Sequence, residues 1–429
     1  MVQVVEYLRR VIDDELDVLL EELAAVALEG PRGAGKTESA LRRARTRVNL
    51  DEPAAAEVFA ADPIGFLDMA QAPVLVDEWQ RVPSSWDAVR RLVDADPRRA
   101  GRFLLTGSAS PLQPPAHSGA GRIVTVRMRP MTLPERGVTS PTVSLAALLT
   151  GDRPPVAGTS AMDLAGYATE IAASGFPAIR ATTGRARRAQ IDSYLRLLVD
   201  RDLPEQGRRP RGTEATLLAW LRAVAAQTAT VISWEKIRDA ASPGRDDKPA
   251  RGTTRVWEDA LAAMWLLDPV SAWLPGKGHL RRLTASPKLH LADPALALRL
   301  LGFDESMLLA GRSPTVRPRD GTLFANLFES LVALSARVFA QAAEAAVGHL
   351  RTAGGEHEVD LIIERLDGRV IAVEVKLSAA VSDDDLRHLR WLGDRIGDDL
   401  LDAIVVTTGA HAYRRPDGIA VVPAALLGP

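Results

Sequence analysis

Cysteine is absent from the chain, and lysine is scarce. The absence of cysteine excludes disulfide bonds, thiolate metal sites and a cysteine nucleophile, and it fits a reducing compartment. The chain of 429 residues has 53 basic residues, and only six of them are lysines. Because arginine supplies charge wherever a generic cation suffices, each lysine raises the question of whether an ammonium group is required there. These lysines are Lys36, Lys236, Lys248, Lys277, Lys288 and Lys376.

An excess of charge of one sign and a long apolar run are also missing. The 53 basic residues nearly balance 55 acidic ones, which excludes a uniformly basic coat for nucleic acid but allows a local basic region. The N-terminal segment is acidic and amphipathic, unlike a secretion signal, and no run of about 18 apolar residues occurs. Composition and length are typical of two to four globular domains at roughly 100–200 residues each. We expect a soluble cytoplasmic protein without a membrane segment.

A glycine-rich stretch near the N-terminus has the pattern of a phosphate-binding loop (P-loop). It follows the short apolar run 26–29 and precedes a helix-forming segment, which is the strand–loop–helix setting that GxxxxGK[ST] requires. Its backbone N–H groups and the helix N-terminus would bind phosphate oxygens. Lys36 would reach the β- and γ-phosphates of ATP, and Thr37 would hold Mg²⁺. The predicted nucleotide-binding residues are Gly30, Pro31, Arg32, Gly33, Ala34, Gly35, Lys36 and Thr37.

A second apolar run, residues 73–76, ends in two acids, as a Walker B strand does. The carboxyl ends of parallel strands lie at one edge of a sheet, where ligands bind. Asp77 would orient Mg²⁺ there, and Glu78 would polarise the attacking water. The pattern is weak alone, but it becomes specific about 40 residues after a P-loop.

Two further residues are candidates for the same site. Ser108 follows the apolar run 103–105 at the place where a γ-phosphate sensor would lie, although a simple Ser/Thr turn has the same pattern. Arg122 precedes another predicted strand. It would supply a charge-stabilising arginine within the chain or from a neighbouring subunit, or it is a solvated structural residue.

Pro- and Gly-rich stretches divide the rest of the chain. From Glu214, three helical patterns and two strand-like runs around a Gly-Lys-Gly turn follow the plan of a winged helix, whose third helix can lie in a DNA major groove. Residues 178–290 hold 20 Lys+Arg and 12 Asp+Glu, a basic excess that a DNA-facing module needs. Protein docking and a purely structural role stay open. The predicted domains are 1–140 (P-loop ATPase), 141–212 (linker and helical lid), 213–295 (winged helix) and 320–429 (C-terminal domain).

The C-terminal region carries a second set of charged residues on a predicted hairpin. The two-residue period of a strand places Glu374 and Lys376 on one face, with Asp360 on the neighbouring strand and Glu329 on the preceding helix. Alternating charges in an apolar strand are costly to bury unless they meet a partner or a metal. Taken alone, the pattern is also that of a charged strand face.

The order of the motifs resembles that of bacterial AAA+ family ATPases joined to a C-terminal domain of unknown function 4143. The resemblance rests on VALEGPRGAGKT, VLVDEWQRVP, FLLTGSAS, AGRIVTVRMRPMTLPERG and SGFPAI, and it extends over nearly the whole chain. It implies an α/β fold with a parallel-sheet ATPase domain, a helical lid, a winged helix and a tail similar to PD-(D/E)xK nucleases. By that resemblance Asp360 and Glu374 would coordinate Mg²⁺, Glu329 would complete the metal site, and Lys376 would stabilise phosphate charge or orient the attacking water.

These patterns predict an ATPase that couples its nucleotide state to a winged-helix and nuclease-like tail. DNA is the expected partner, contacted through residues 178–290 and the C-terminal domain, and a homo-oligomer would let Arg122 act between subunits. Whether the tail cleaves DNA is open. The alternative is an ATP-dependent protein-docking switch with an inactive nuclease-like domain.

Overall fold

The computed structural model describes residues 7–109, 117–202, 214–231, 233–242, 249–274, 286–310 and 322–429. The helices are α1 (Ile12–Glu22), α2 (Lys36–Leu41), α3 (Pro53–Ala61), α4 (Pro63–Met69), α5 (Ser84–Ala95), α6 (Leu145–Leu149), α7 (Leu164–Ala173), α8 (Pro177–Arg180), α9 (Gly184–Leu197), α10 (Glu214–Ala225), α11 (Trp234–Ala240), α12 (Arg251–Ala263), α13 (Pro294–Leu300), α14 (Glu305–Ala310), α15 (Thr322–Ala342) and α16 (Arg387–Ile396). The strands are β1 (Ala25–Glu29), β2 (Thr46–Asn49), β3 (Val74–Asp77), β4 (Phe103–Gly107), β5 (Val124–Arg127), β6 (Val143–Ser144), β7 (Gly158–Thr159), β8 (Thr230–Val231), β9 (Ser271–Ala272), β10 (Lys288–Leu289), β11 (Ala346–Arg351), β12 (Glu358–Glu364), β13 (Val370–Lys376), β14 (Leu400–Thr407), β15 (His411–Arg414), β16 (Ala420–Pro423) and β17 (Leu427–Gly428).

The N-terminal sheet is wholly parallel and has the strand order β2-β3-β4-β1-β5. Its central strands are short and continuously apolar because helices cover both faces, as a buried parallel sheet requires. Apolar side chains of α1 and α2 pack on one face, and those of α3, α4 and α5 pack on the other. The carboxyl ends of β1, β3 and β4 therefore meet at one edge. The predicted α/β class with a parallel sheet is confirmed.

The C-terminal sheet has eight strands in the order β7-β15-β16-β14-β13-β12-β11-β9. Its centre is an antiparallel meander, β11-β12-β13, followed by α16 and by β14, which runs parallel to β13. The strands alternate their side chains between two cores, one shared with α15 and the other with α16. The order of elements around this centre is thus helix, three strands, helix and strand.

Helices α7 to α14 share one hydrophobic core with α15 and the C-terminal sheet. Strand β8 pairs with β10, and β9 adds to the edge of the C-terminal sheet beside β11. Part of the segment predicted as a linker belongs to the tail, because β6 pairs with β17 and β7 pairs with β15. Helix α14 and all but the first two residues of α13 lie outside the predicted domains, and both helices pack within this helical region.

Helix α15 is, by length and composition alone, apolar enough to span a membrane, with a mean hydropathy of 1.4 in its most apolar window. About two thirds of that window (67%) is buried inside the protein. Its apolar side chains pack between the helical region and the C-terminal sheet, as those of a core helix do.

Candidate functional sites

Residues 30–35 form the loop between β1 and α2, as the glycine pattern predicts, and Lys36 and Thr37 are the first residues of α2. Gly30 has a φ of 157°, and a Cβ atom there would lie 2.0 Å from the Met128 carbonyl oxygen, so only glycine lets the loop leave β1 against the neighbouring strand. Lys36 is 4% exposed, and its ammonium donates hydrogen bonds to the carbonyl oxygens of Gly30 (2.7 Å) and Pro31 (3.0 Å). Burial lowers the pKa of Lys36 to about 8, although nearby carboxylates oppose this shift.

Asp77 at the end of β3 accepts hydrogen bonds from two threonines. Thr37 Oγ1 lies 2.8 Å and Thr106 Oγ1 lies 2.5 Å from Asp77 Oδ1, and Arg47 Nη2 is 2.7 Å from Oδ2. The structure thus brings together the two residues predicted to hold Mg²⁺, and a hydroxyl beside a carboxylate is a donor set that suits this ion. Sequence reasoning missed Thr106 and Arg47. For Thr106, the available sequence signal was its position directly after the apolar run 103–105.

Glu78 has a left-handed backbone, with a φ of 57°, which is uncommon outside glycine and occurs where neighbouring contacts enforce it. Ser108 Oγ donates to Glu78 Oε1 (2.7 Å), and Gln80 Nε2 donates to Oε2 (2.5 Å). Ser108, the predicted phosphate sensor, therefore contacts the predicted water-polarising residue directly. Gln80 was not predicted.

Arg122 is not brought to the P-loop. It precedes β5, and the first residue of that strand lies beside Val26 at the start of β1, at the edge of the sheet opposite the P-loop. Its Nε atom pairs with Asp94 Oδ1 at 2.7 Å in an exposed ion pair. A role for Arg122 in the site of its own chain is therefore not supported by its position, and a role across a subunit interface stays a prediction.

A cleft of about 270 Å³ opens between the P-loop and the helical region. The rings of Phe176 and Tyr194 lie 5.2 Å apart, and the Tyr194 hydroxyl donates to the Arg32 carbonyl oxygen at 3.2 Å. Phe176 belongs to the SGFPAI segment, where Gly175 packs so closely that a Cβ atom would lie 2.7 Å from the Met131 carbonyl oxygen. The lining residues are Arg32, Gly33, Phe176, Ala178, Ile179, Tyr194, Leu197 and Arg201.

Three arginines from two distant elements converge on buried Asp268. Arg127 and Arg129 come from β5 and its end, at 3.1 and 2.8 Å, and Arg337 comes from α15, at 2.8 Å. Burial alone would raise the pKa of Asp268, but the arginines outweigh it and hold that pKa well below its ordinary value. This cluster joins the N-terminal sheet, the segment after α12 and helix α15 of the C-terminal region.

In the tail, the predicted residues of the hairpin do meet. Lys376 Nζ is 2.8 Å from Glu374 Oε1, and the backbone N–H of Val375 donates to Asp360 Oδ2 at 2.9 Å. The other carboxylate oxygen of Glu374 is buried and has no hydrogen-bond partner. Burial raises the pKa of Glu374 to about 8, and Asp360 adds to this shift.

A lysine that sequence reasoning left without a role fills the centre of this group. Lys288 of β10 is 1% exposed, and its ammonium lies 2.8 Å from Glu329, 2.9 Å from Asp360 and 3.1 Å from Glu358. We call Glu329, Glu358, Asp360 and Glu374 the carboxylate cluster. Burial opposes the charge on Lys288, yet the carboxylates raise its pKa well above the ordinary value.

The Lys288 ammonium therefore occupies the space between Glu329 and Asp360, two of the three predicted metal ligands, the third being Glu374. Within the described residues, no group of three or more acidic or histidine side chains is placed to hold a metal ion. The physical reason is that an internal ammonium already lies between Glu329 and Asp360. The scarcity of lysine was the one sequence signal that could have drawn attention to position 288.

Three sequence-family models match consecutive parts of the chain. A model described as an AAA domain matches residues 23–136, which include the whole parallel sheet and the P-loop. A domain of unknown function (DUF8612) matches residues 165–307, across both the predicted lid and the predicted winged helix. A domain of unknown function (DUF4143) matches residues 324–427. The chain thus carries an AAA domain with a P-loop and a C-terminal DUF4143 domain.

Two mycobacterial proteins are similar to this chain over nearly its whole length. The uncharacterized proteins Rv2008c of Mycobacterium tuberculosis and Mb2031c of Mycobacterium bovis are each 27% identical over 412 residues, which are 94% of this chain and 81% of the relative. Among solved structures, a Walker-type ATPase of Pyrococcus abyssi has a TM-score of 0.39 at 16% identity, covering 67% of this chain and 94% of its own. The Aeropyrum pernix ORC2 protein has a TM-score of 0.31 at 15% identity, covering 72% and 97%. TM-scores this low do not establish a shared fold.

Proposed function

We propose that the AAA-type ATPase domain of this chain binds ATP with Mg²⁺ and hydrolyses it. The observation that carries this function is the 2.8 Å hydrogen bond between Thr37, the last residue of the P-loop motif, and Asp77 at the end of β3. Thr37 and Asp77 would hold Mg²⁺, since hydroxyl and carboxylate oxygens are its preferred ligands. The bound ion would neutralise charge that develops on the transferred phosphoryl group.

The remaining side chains of the site have roles that follow from their contacts. Lys36 would exchange its two carbonyl acceptors for phosphate oxygens, which form stronger charge-assisted hydrogen bonds. Glu78 would orient the attacking water and accept its proton. Ser108 and Gln80 would hold the Glu78 carboxylate in position, because each donates to one of its oxygens.

The cleft beside the P-loop would take the nucleoside part of ATP. It opens directly next to Arg32 and Gly33 and is walled by the rings of Phe176 and Tyr194. Aromatic faces of this kind stack on a nucleobase. The SGFPAI segment would thus serve to seat Phe176 over the P-loop.

Substitution of Glu78 tests hydrolysis separately from binding. In Glu78→Gln we expect ATP to bind as in the wild type, while the turnover rate falls by roughly 10²- to 10⁴-fold, the usual contribution of a general base. Glu57→Gln, an exposed change on α3, is the matched control. Wild-type turnover in Glu78→Gln would remove Glu78 from the mechanism.

We also infer that the tail couples this ATPase to DNA. Helices α10, α11 and α12 are followed by two segments that isolated antiparallel bridges join, Leu267 to Leu291 and Val270 to Lys288, and this order of elements supports a winged helix. The helix, three strands, helix and strand around the tail sheet support the nuclease-like relationship. One contact does not favour a strongly basic third helix, because Arg255 of α12 pairs with Asp259 of the same helix.

DNA binding is tested by its salt dependence. If residues 178–290 contact phosphates, the affinity of the full chain for DNA falls linearly with salt on a logarithmic scale. Neutralising Arg185 and Arg188 on α9, or Arg251 and Arg255 on α12, should reduce that slope by about one for each phosphate that the variant no longer neutralises. An affinity that does not change with salt would remove DNA as the partner.

A second candidate function is a nucleotide-dependent docking switch with an inactive tail. The position of Lys288 inside the carboxylate cluster favours it, because a metal-dependent nuclease needs that space. A switch of this kind would hydrolyse ATP at a rate that DNA does not change. Stimulation of turnover by DNA would favour the first candidate.

A further inference from the structure

We propose that Arg10 is a positioning residue of the P-loop, because its guanidinium holds the carbonyl oxygen of Ala34 and thereby aims the N–H group of Gly35 at the phosphates of ATP. This inference deepens the proposed ATP binding and rests on it. It depends on what the Arg10 guanidinium contacts, on the planarity of one peptide group and on how Glu135 holds Arg10 in place.

Arg10 lies just before α1 and is buried against the P-loop. It is 4% exposed, and each of its three side-chain nitrogen atoms donates a hydrogen bond. Nη1 donates to the Ala34 carbonyl oxygen at 2.7 Å, Nη2 to the Arg129 carbonyl oxygen at 2.7 Å, and Nε to Glu135 Oε1 at 3.1 Å. Because a guanidinium is planar and its donors form a rigid fork, these three acceptors fix its position.

The carbonyl that Arg10 holds lies between two glycines of the loop. Gly33 has a φ of 82° and Gly35 has a φ of 105°, a region that glycine adopts without strain. A Cβ atom at Gly35 would lie 3.4 Å from Arg10 Nη1, so the guanidinium packs directly against this turn. Glycine gives the backbone little stiffness of its own, and the contact with Arg10 therefore sets the direction of the Ala34 carbonyl.

The direction of the Ala34 carbonyl also sets that of the next N–H group. A trans peptide group is planar, and its C=O and N–H bonds point in opposite directions. With its carbonyl oxygen bonded to Arg10, this peptide group points the Gly35 N–H away from Arg10. Backbone N–H groups of the GxxxxGK[ST] loop are the donors that bind phosphate oxygens. A peptide group turned the other way would present a carbonyl oxygen to the phosphates and repel them.

Glu135 keeps the guanidinium in this position. It is 6% exposed and belongs to the PMTLPERG segment that follows β5. Besides the bond from Arg10, its Oε1 accepts from the Val11 N–H at 2.8 Å, and its Oε2 accepts from the N–H (2.7 Å) and the hydroxyl (2.9 Å) of Thr132. These donors fix the carboxylate, and its charge balances that of the buried guanidinium. The PMTLPERG segment thus has a role at the P-loop, which is to hold Arg10.

An ion pair that only stabilised the fold would make the same contacts, so the variants separate stability from binding. Arg10→Met removes every donor and leaves the Glu135 carboxylate buried without its partner charge. The double variant Arg10→Met/Glu135→Gln removes both charges, so no unpaired buried charge remains. In Arg10→Lys the charge stays, but a compact ammonium bonds preferentially to the Glu135 carboxylate and leaves the Ala34 carbonyl without its donor.

The test measures the dissociation constants of the full chain for ATP with Mg²⁺ and for tripolyphosphate with Mg²⁺ by titration calorimetry. The melting temperature of each protein is measured without ligand. The wild type is compared with Arg10→Met, with the double variant and with Arg10→Lys. Arg9→Met is the matched control, since Arg9 is the exposed neighbour and pairs with Asp14.

We expect Arg10→Met and the double variant to raise both dissociation constants by the same factor, roughly 10- to 100-fold, the equivalent of one hydrogen bond to a charged group. The double variant should melt at a higher temperature than Arg10→Met without regaining affinity. Arg10→Lys should raise both dissociation constants by roughly threefold or more. Arg9→Met should bind both ligands as the wild type does.

A double variant that regains affinity together with stability would overturn the inference, and so would a loss of affinity for ATP without a loss for tripolyphosphate. Binding of both ligands by Arg10→Lys as tightly as by the wild type would overturn it even if the double variant does not fold. If the wild type and Arg9→Met bind neither ligand, the proposed function fails and the inference fails with it. That result differs from one in which the Arg10 variants bind as the wild type does, which refutes this inference alone.

Discussion

Thr37 Oγ1 donates a hydrogen bond to Asp77 Oδ1 over 2.8 Å, and this contact joins the two sequence motifs of the ATPase domain. The two residues are 40 positions apart, and they meet because β1 and β3 end at the same edge of a parallel sheet. A hydroxyl and a carboxylate this close together form a donor set that suits a hard cation.

Loss of the Thr37 hydroxyl should weaken the dependence of ATP binding on Mg²⁺. In Thr37→Ala we expect the dissociation constant for ATP with Mg²⁺ to rise at least tenfold, while that for ATP with EDTA changes little. Thr46→Ala is the matched control, since Thr46 on β2 only donates to the Gln71 carbonyl oxygen. Equal Mg²⁺ dependence in Thr37→Ala and the wild type would show that Thr37 is not a ligand.

The ring of Tyr194 should contribute to binding of the base but not of the phosphates. In Tyr194→Ala we expect the dissociation constant for ATP to rise roughly 5- to 150-fold, the equivalent of one stacking interaction between a base and an aromatic ring. Affinity for inorganic tripolyphosphate should stay as in the wild type. Tyr413→Ala, at an exposed tyrosine on β15, is the control. If Tyr194→Ala loses affinity for ATP and for tripolyphosphate equally, the cleft is not the nucleoside site.

Asp268 should stabilise the chain at every pH above its ordinary pKa of about 3.9. Its pKa in the folded chain is lowered, so its contribution is complete above that value and is lost only as pH falls further. Asp268→Asn leaves three partly buried arginines without their shared carboxylate, and we expect it to cost about 3 kcal/mol at pH 7, the lower end of the range for breaking a buried ion pair.

Melting temperatures at pH 7 and in an acid series check the Asp268 prediction. The difference in melting temperature between the wild type and Asp268→Asn should stay constant down to about pH 4 and decrease below it. The control Asp259→Asn removes an exposed pair with Arg255 and should cost no more than about 1 kcal/mol. A melting-temperature difference that decreases between pH 8 and pH 5 would contradict the lowered pKa of Asp268.

The sequence predicted those parts of the sites that lie in contiguous segments. The P-loop, the acids that end β3 and the shared strand face of Glu374 and Lys376 all follow from local spacing. Lys288 could not be placed this way. It lies 41 residues before Glu329 and 72 before Asp360, and no periodicity links such positions.

The same limit applies to the boundaries of the tail. Strand β6 has only two residues, and its partner β17 lies at the far end of the chain. A strand this short has no alternation that a sequence pattern could reveal. Its pairing is decided by the packed sheet, and the segment therefore looked like a linker.

ATP hydrolysis by the full chain in the presence of Mg²⁺, measured for the wild type and for Lys36→Ala, tests the central claim most directly. Lys236→Ala, at an exposed lysine on α11, is the matched control. We expect steady turnover in the wild type and the control, and loss of both ATP binding and turnover in Lys36→Ala. Turnover in Lys36→Ala equal to that of the wild type would contradict the assignment of the P-loop as the ATPase site.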